Sequence, residues 1–130
     1  MVERQPIPGI PDPEFLSILE DERISSVFQP IVDLRTLDIL GYEALSRGPA
    51  GTRWLSPVAL IEEASRVDML WKLELVFRKK AIQRASETGI DSLLFLNVDP
   101  NVINDPKFHE GLTRQVVMEN GLKTDKIVFE

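Results

Sequence analysis

Ser92-Leu93-Leu94-Phe95-Leu96-Asn97-Val98 is apolar almost without alternation. A strand with one wet face alternates apolar and polar residues, whereas a strand covered on both faces, as in a parallel sheet, does not. Asp99-Pro100 ends this strand. On its upstream side, residues 70–88 predict a helix with Leu73, Val76, Phe77, Ala81 and Ala85 on one face. Lys72, Arg78, Lys79 and Arg84 are expected to solvate the rest, and the run Arg78-Lys79-Lys80 reads as a solvated face. Thr88-Gly89-Ile90 is a Schellman-type stop. Downstream, Pro106 to Asn120 predicts a helix with Phe108, Leu112 and Val116 in register and Gly121 as its stop. Lys126 to Glu130 then begins another apolar strand. Further upstream, Ile39 to Ser46 reads as a strand and Ser56-Pro57 starts a helix buried through Leu60, Ile61 and Ala64. Strands alternating with amphipathic helices imply βαβ units and a parallel sheet.

The remaining N-terminal part departs from that alternation. Ile24 to Leu34 is strand-like, but it holds Gln29 and Pro30. A central strand with proline loses a ladder hydrogen bond, so this strand is an edge or is interrupted near Pro30. Asp33 to Asp38 is a polar turn, and the strands on either side pair as a hairpin. Asp12-Pro13-Glu14 combines a cap, a first-turn proline and a first-turn acid, which predicts a short helix to about Arg23 through Phe15, Ile18 and Leu19. Residues 1–11, with three prolines and a glycine, read as a tail or linker.

The chain has 130 residues, 43% of them hydrophobic and 28% charged, with a net charge of −6. That suits one domain with a real core. No apolar run approaches the ~18 residues needed to cross a bilayer, and the N-terminus has no apolar signal segment. Cysteine is absent, which excludes disulfides and thiolate chemistry and fits a cytoplasmic setting. The acidic balance disfavours nucleic-acid polymers. A small phosphate-bearing ligand needs only one or two local arginines.

In parallel α/β folds, chemistry sits at the carboxyl ends of the strands. Three strands here carry an oxygen-bearing side chain at that end: Glu43, Asn97 and Glu130. Two carboxylates and an amide suit Mg²⁺, Mn²⁺ or Ca²⁺. Taken alone, Glu43 is open to two readings: a metal ligand, with Arg47 serving an anionic ligand, or an exposed carboxylate paired with Arg47. Asp99 is expected to shape the turn or cap the next helix, and Trp54 to cover the core. Met69 and Trp71 read as packing or a subunit contact. His109 is given no catalytic role.

Phe28-Gln29-Pro30-Ile31-Val32-Asp33, Gly41-Tyr42-Glu43-Ala44-Leu45-Ser46-Arg47, Leu96-Asn97-Val98 and Ile127-Val128-Phe129-Glu130 occur in an order and spacing that resembles EAL domains, the bacterial cyclic di-GMP phosphodiesterases. The likeness spans roughly residues 24–130. It implies a modified (β/α)8 TIM-barrel-like fold whose first strand is antiparallel. It also implies metal-dependent hydrolysis of cyclic di-GMP to linear pGpG. Glu43 would be catalytic, and Glu43, Asn97 and Glu130 would bind Mg²⁺ or Mn²⁺. Gln29, Leu45 and Arg47 would contact the dinucleotide.

A barrel of this kind takes about 250 residues. The resemblance therefore implies about the first half of one: residues 12–130 as a truncated EAL domain. The family's paired aspartates, lysine and later glutamate and glutamine ligands lie beyond Glu130. Gly48 stands where many members have tryptophan, and Asp99 where serine is frequent. The fragment is expected to be inactive alone, leaving open whether the parent is an enzyme. The alternative is a non-catalytic module for cyclic di-GMP binding or protein association. Exposed half-barrel edges predict homo-oligomers or marginal stability.

Overall fold

A computed structural model describes residues 9–103 and 110–130. The expectations for residues 1–8, for the start of the helix predicted from Pro106, and for Phe108 and His109 lie outside the described residues. Helix α1 (Pro13–Glu20) starts as read, with the Asp12 carboxylate accepting from the backbone N–H groups of Glu14 at 2.8 Å and Phe15 at 3.3 Å. It stops about a turn earlier than expected. Strand β1 (Ser25–Val32) and strand β2 (Ile39–Arg47) form the hairpin. Helices α2 (Pro57–Arg66) and α3 (Leu70–Thr88) follow, then β3 (Leu93–Leu96), α4 (Pro100–Ile103), α5 (Glu110–Glu119) and β4 (Ile127–Phe129).

The four strands form one sheet in chain order, β1-β2-β3-β4. β1 is antiparallel to β2, while β2, β3 and β4 run parallel. This is the opening of a barrel whose first strand is reversed. Both solutions to the Pro30 problem are used. β1 is the sheet's edge strand, and its pairing shifts register between Ile31 and Val32, directly after the proline.

The core lies on one side of the sheet. Ala44, Leu94 and Leu96 pack against Ala81, Ile82 and Ala85 of α3 and Val117 of α5. A second cluster joins Phe15, Ile18 and Leu19 of α1 to Leu60 and Ala64 of α2, Leu73 and Val76 of α3, and Trp54. Trp54 covers the core as read, its ring centre 5.7 Å from that of Phe15 and stacked beneath the Arg53 guanidinium at 4.0 Å. Met69 also packs against this cluster. Gly48 faces the backbone carbonyl of Trp54 so closely that a Cβ would collide with it. A tryptophan at 48 is incompatible with this loop path. Helix α3 ends in a Schellman motif: Gly89 is left-handed (φ 77°), and Ile90 and Gly89 donate to the carbonyls of Ala85 and Ser86.

Three expectations are corrected. Arg78 is not solvated: it is 4% exposed and ion-paired to Glu74 of the same helix at 3.2 Å. Leu112 is exposed, and α5 turns Thr113 and Val117 inward instead, so its stripe is offset by one residue. β3 is covered fully on only one face. Leu94 and Leu96 are buried, whereas Leu93 and Phe95 are half-buried.

Candidate functional site

Register decides which side chains share the open face. Gln29 pairs with Glu43 across β1 and β2, and Val27 with Leu45. Glu43 pairs with Phe95 across β2 and β3, and Phe95 with Val128 across β3 and β4. Paired residues lie on the same face, and every second residue along a strand returns to it. One face therefore carries Gln29, Glu43, Leu45, Arg47, Asn97 and Glu130. This is the face opposite Ala44, Leu94 and Leu96. It holds all six residues singled out in the sequence.

The carboxyl ends of β3 and β4 remain paired beyond Leu96. The Glu130 backbone N–H donates to the Leu96 carbonyl at 2.9 Å, and Val98 N–H donates to the Glu130 carbonyl at 3.1 Å. Those two bonds bracket Asn97 directly against Glu130, about 4.8 Å apart at the backbone. From β2, Glu43 reaches the same place. Its carboxylate comes within hydrogen-bonding reach of that of Glu130. Burial, then that hydrogen bond and the charge of Glu43, push the Glu130 carboxyl above the usual carboxylate range. Two carboxylates drawn together, one of them holding its proton more tightly, form a pair that a divalent cation relieves. The donor set of two carboxylates and one amide oxygen is all oxygen, which fits a hard cation such as Mg²⁺, Mn²⁺ or Ca²⁺. Among the described residues no three Asp, Glu or His side chains cluster. The carboxylates are a pair, and the residue beside them is an amide.

Arg47 lies at the end of β2, where one guanidinium N–H donates to the Ser46 carbonyl at 2.8 Å. A cleft of about 240 Å³ lies between this strand end and the helices, lined by Ala44, Leu96, Glu74, Arg78 and Ala81 as well as by Arg47 and Asn97. A second cleft, of about 300 Å³, lies between the ends of α3 and α5 and includes Ile90, Lys123 and Lys126. It takes in none of the six residues.

Asp99 acts as a cap. Its carboxylate accepts from Asn101 N–H at 2.9 Å at the start of α4. The reading from sequence missed the buried pair Glu74–Arg78. The signal was present: Glu74 and Arg78 are spaced i, i+4 and fall in the same helical stripe as Ala81 and Ala85.

Among the described residues, no helix is long and apolar enough to cross a membrane. The EAL domain family model matches residues 14–130. A curated relative, the probable cyclic di-GMP phosphodiesterase PdeI of Escherichia coli K12, is 39% identical over 112 residues, covering 80% of this chain and 14% of PdeI. A standalone versatile EAL protein from Vibrio cholerae O395, solved in its c-di-GMP-bound form, matches with a TM-score of 0.66 and 33% identity over 82% of this chain and 43% of that one. The manganese and cyclic di-GMP complex of Klebsiella pneumoniae BlrP1 shares the fold, with a TM-score of 0.62 at 21% identity over 82% of this chain and 26% of its own. The chain thus spans less than half the length of each of these relatives, from 14% to 43%. It is a mixed α/β chain with the strand order and reversed first strand of a partial TIM-like barrel, and it belongs to the EAL domain family.

Proposed function

We propose that this chain carries one side of a cyclic di-GMP phosphodiesterase centre, with Glu43, Asn97 and Glu130 as ligands of Mg²⁺ or Mn²⁺. The observation that supports this reading most is the contact of Glu43 with Glu130 beside Asn97. A divalent cation bound there supplies charge to polarise phosphoryl oxygens and lowers the pKa of a bound water. The protein's own residues supply the rest. Gln29, beside Glu43, offers an amide to the dinucleotide, and Leu45 an apolar contact. Arg47, anchored at one N–H by Ser46, presents its remaining donors to a phosphate, for which the guanidinium fork is suited. The ligand is the cyclic dinucleotide and the product linear pGpG. The domain, from residue 12, works in the cytoplasm.

Calorimetric titration of cyclic di-GMP into the chain, with and without Mg²⁺, tests the reading. Metal-dependent binding that is lost in Glu43→Ala and in Arg47→Ala is the expected result. Binding indifferent to both substitutions would sink it. Two carboxylates and one amide leave about half of a six-coordinate shell to water or ligand, and the 130 residues alone are expected to bind without measurable turnover.

A second reading is association without catalysis. It is favoured by the half-open sheet face, where Val27 is 47% exposed, and by the unpaired edge of β1. Self-association through these surfaces predicts a dimer or larger species in sedimentation. A monodisperse monomer at high concentration would count against it.

A further inference from the structure

Asn97 is exposed and sits one residue past the end of β3, so its placement depends on what holds residues 97–99. Three elements border them. β4 accepts the Val98 N–H at the Glu130 carbonyl. The Asp99 side chain caps α4 through Asn101. From the other side of the sheet, the Glu74 carboxylate of α3 lies beneath this strand end: it lines one cleft with Leu96 and Asn97, and the nearby Asp99 backbone N–H favours its charged form. Glu74 is itself 5% exposed and paired to Arg78. The Arg78 Nε donates to Thr113 Oγ1 of α5 at 3.1 Å, and Thr113 is also buried.

A buried ion pair is weak evidence for stability, because desolvation offsets most of its attraction. Burial raises the Glu74 carboxyl, Arg78 and then the Asp99 N–H work against that rise, and the Asp99 carboxylate adds to it. The pair is costly to keep, and it lies beneath the backbone two residues from Asn97. Both partners also line the cleft whose lining includes Leu96 and Asn97 at the end of β3.

We infer that Glu74, oriented by Arg78 and Thr113, is a positioning residue that sets where Asn97 presents its amide beside Glu43 and Glu130. The inference rests on the proposed role of Asn97 as a cation ligand. It adds a support behind the sheet that the ligand set itself does not include. Outer partners of metal ligands typically contribute 10- to 100-fold to affinity.

Two measurements on the full chain test it. The first needs no metal: amide hydrogen exchange at Asp99, followed by nuclear magnetic resonance. Glu74→Ala removes the carboxylate, and Asp99 exchange is expected to accelerate at least about tenfold, beyond any change at core amides such as Leu94. Glu74→Gln keeps a carbonyl oxygen and is expected to restore protection. Unchanged Asp99 exchange in Glu74→Ala, or a rise matched throughout the core, would overturn the inference. The second is Mn²⁺ affinity by electron paramagnetic resonance. Glu74→Ala is expected to weaken Mn²⁺ about 10- to 100-fold. In the Asn97→Ala background the same change is expected to do almost nothing, since the two act through one ligand. Additive losses would overturn the positioning role. If the wild-type chain shows no Mn²⁺ binding while Asp99 exchange responds as expected, the cation reading of the site fails and the hold of Glu74 on the strand end stands.

Discussion

Leu94 and Phe95 are adjacent in β3 and similar in hydrophobicity, yet they belong to different parts of the molecule. Leu94 is 2% exposed and packs among Ala81, Ile82 and Ala85 of α3. Phe95 lies half-buried on the opposite face, between Glu43 of β2 and Val128 of β4 in register. The helix-covered face holds the fold together, and the other presents the carboxylates. Substitutions on the two faces should therefore separate stability from binding.

The largest effect is expected for Leu94→Ala. Removing a fully buried leucine leaves a cavity and costs about 2–5 kcal/mol, which urea denaturation would read directly. Phe95→Ala removes a larger side chain but only half its burial, and is expected to cost about 1 kcal/mol. Equal losses would show that the open face is packed in solution, for instance by a second copy, and the contrast would collapse.

Gly48→Ala tests the strand end that joins the two faces. The new Cβ meets the Trp54 backbone carbonyl, which no side-chain rotation relieves. About 1–3 kcal/mol of overpacking strain is expected, with a shift in tryptophan fluorescence because Trp54 must move. An unperturbed melting curve and spectrum would mean that the loop from Gly48 to Ser56 has another path.

How far these differences were legible in the sequence depends on whether their causes are local. The Asp12 cap, the Gly89 stop and the bounds of α3 follow from neighbours within one turn of chain, and the sequence reading of each matches the structure. That the six candidate residues share one face was legible because strand alternation and a motif resemblance select the same positions. Arg78 was not legible as buried, since its partners include Thr113 on another helix, and a basic run usually faces solvent. The offset of α5 was hidden for the same reason: Leu112 and Val116 share a stripe, but packing against α3 selected Thr113 and Val117. The apolar pattern of β3 predicted cover on both faces, and among the described residues cover is complete on one.

Acid titration sharpens the comparison on the helix side. Glu63 of α2 accepts from Arg66 Nε at 2.7 Å and Nη2 at 2.8 Å, and from the Asp12 backbone N–H at 2.7 Å. The Arg66 hydrogen bonds, opposed by burial and aided by Asp12, hold its carboxyl below the usual range. The unfolded chain binds this proton more readily than the folded one. The resulting stabilisation is complete above the unfolded value of about 4.3 and is lost as pH falls through the folded value. Glu63→Gln is therefore expected to be less stable than wild type at pH 7, with the gap closing below about pH 4.3 in denaturation curves. A gap independent of pH would show that the amide loses shape complementarity rather than charge.

The smallest effect belongs to the site face and has the opposite sign. Glu43 and Glu130 lie close together, and burial, then the hydrogen bond and the charge of Glu43, push the Glu130 carboxyl up. In the absence of a cation, Glu43→Gln removes one charge and leaves an amide able to bond the other, so stability is expected to rise by up to about 0.5 kcal/mol. Added Mn²⁺ should reverse the order, because the wild-type pair gains a cation that the variant holds poorly. Thermal melts of both proteins, each with and without Mn²⁺, give the four numbers needed. A loss of stability in the metal-free variant would place Glu43 among the residues that hold the fold, and the separation of the two faces would fail at its central residue.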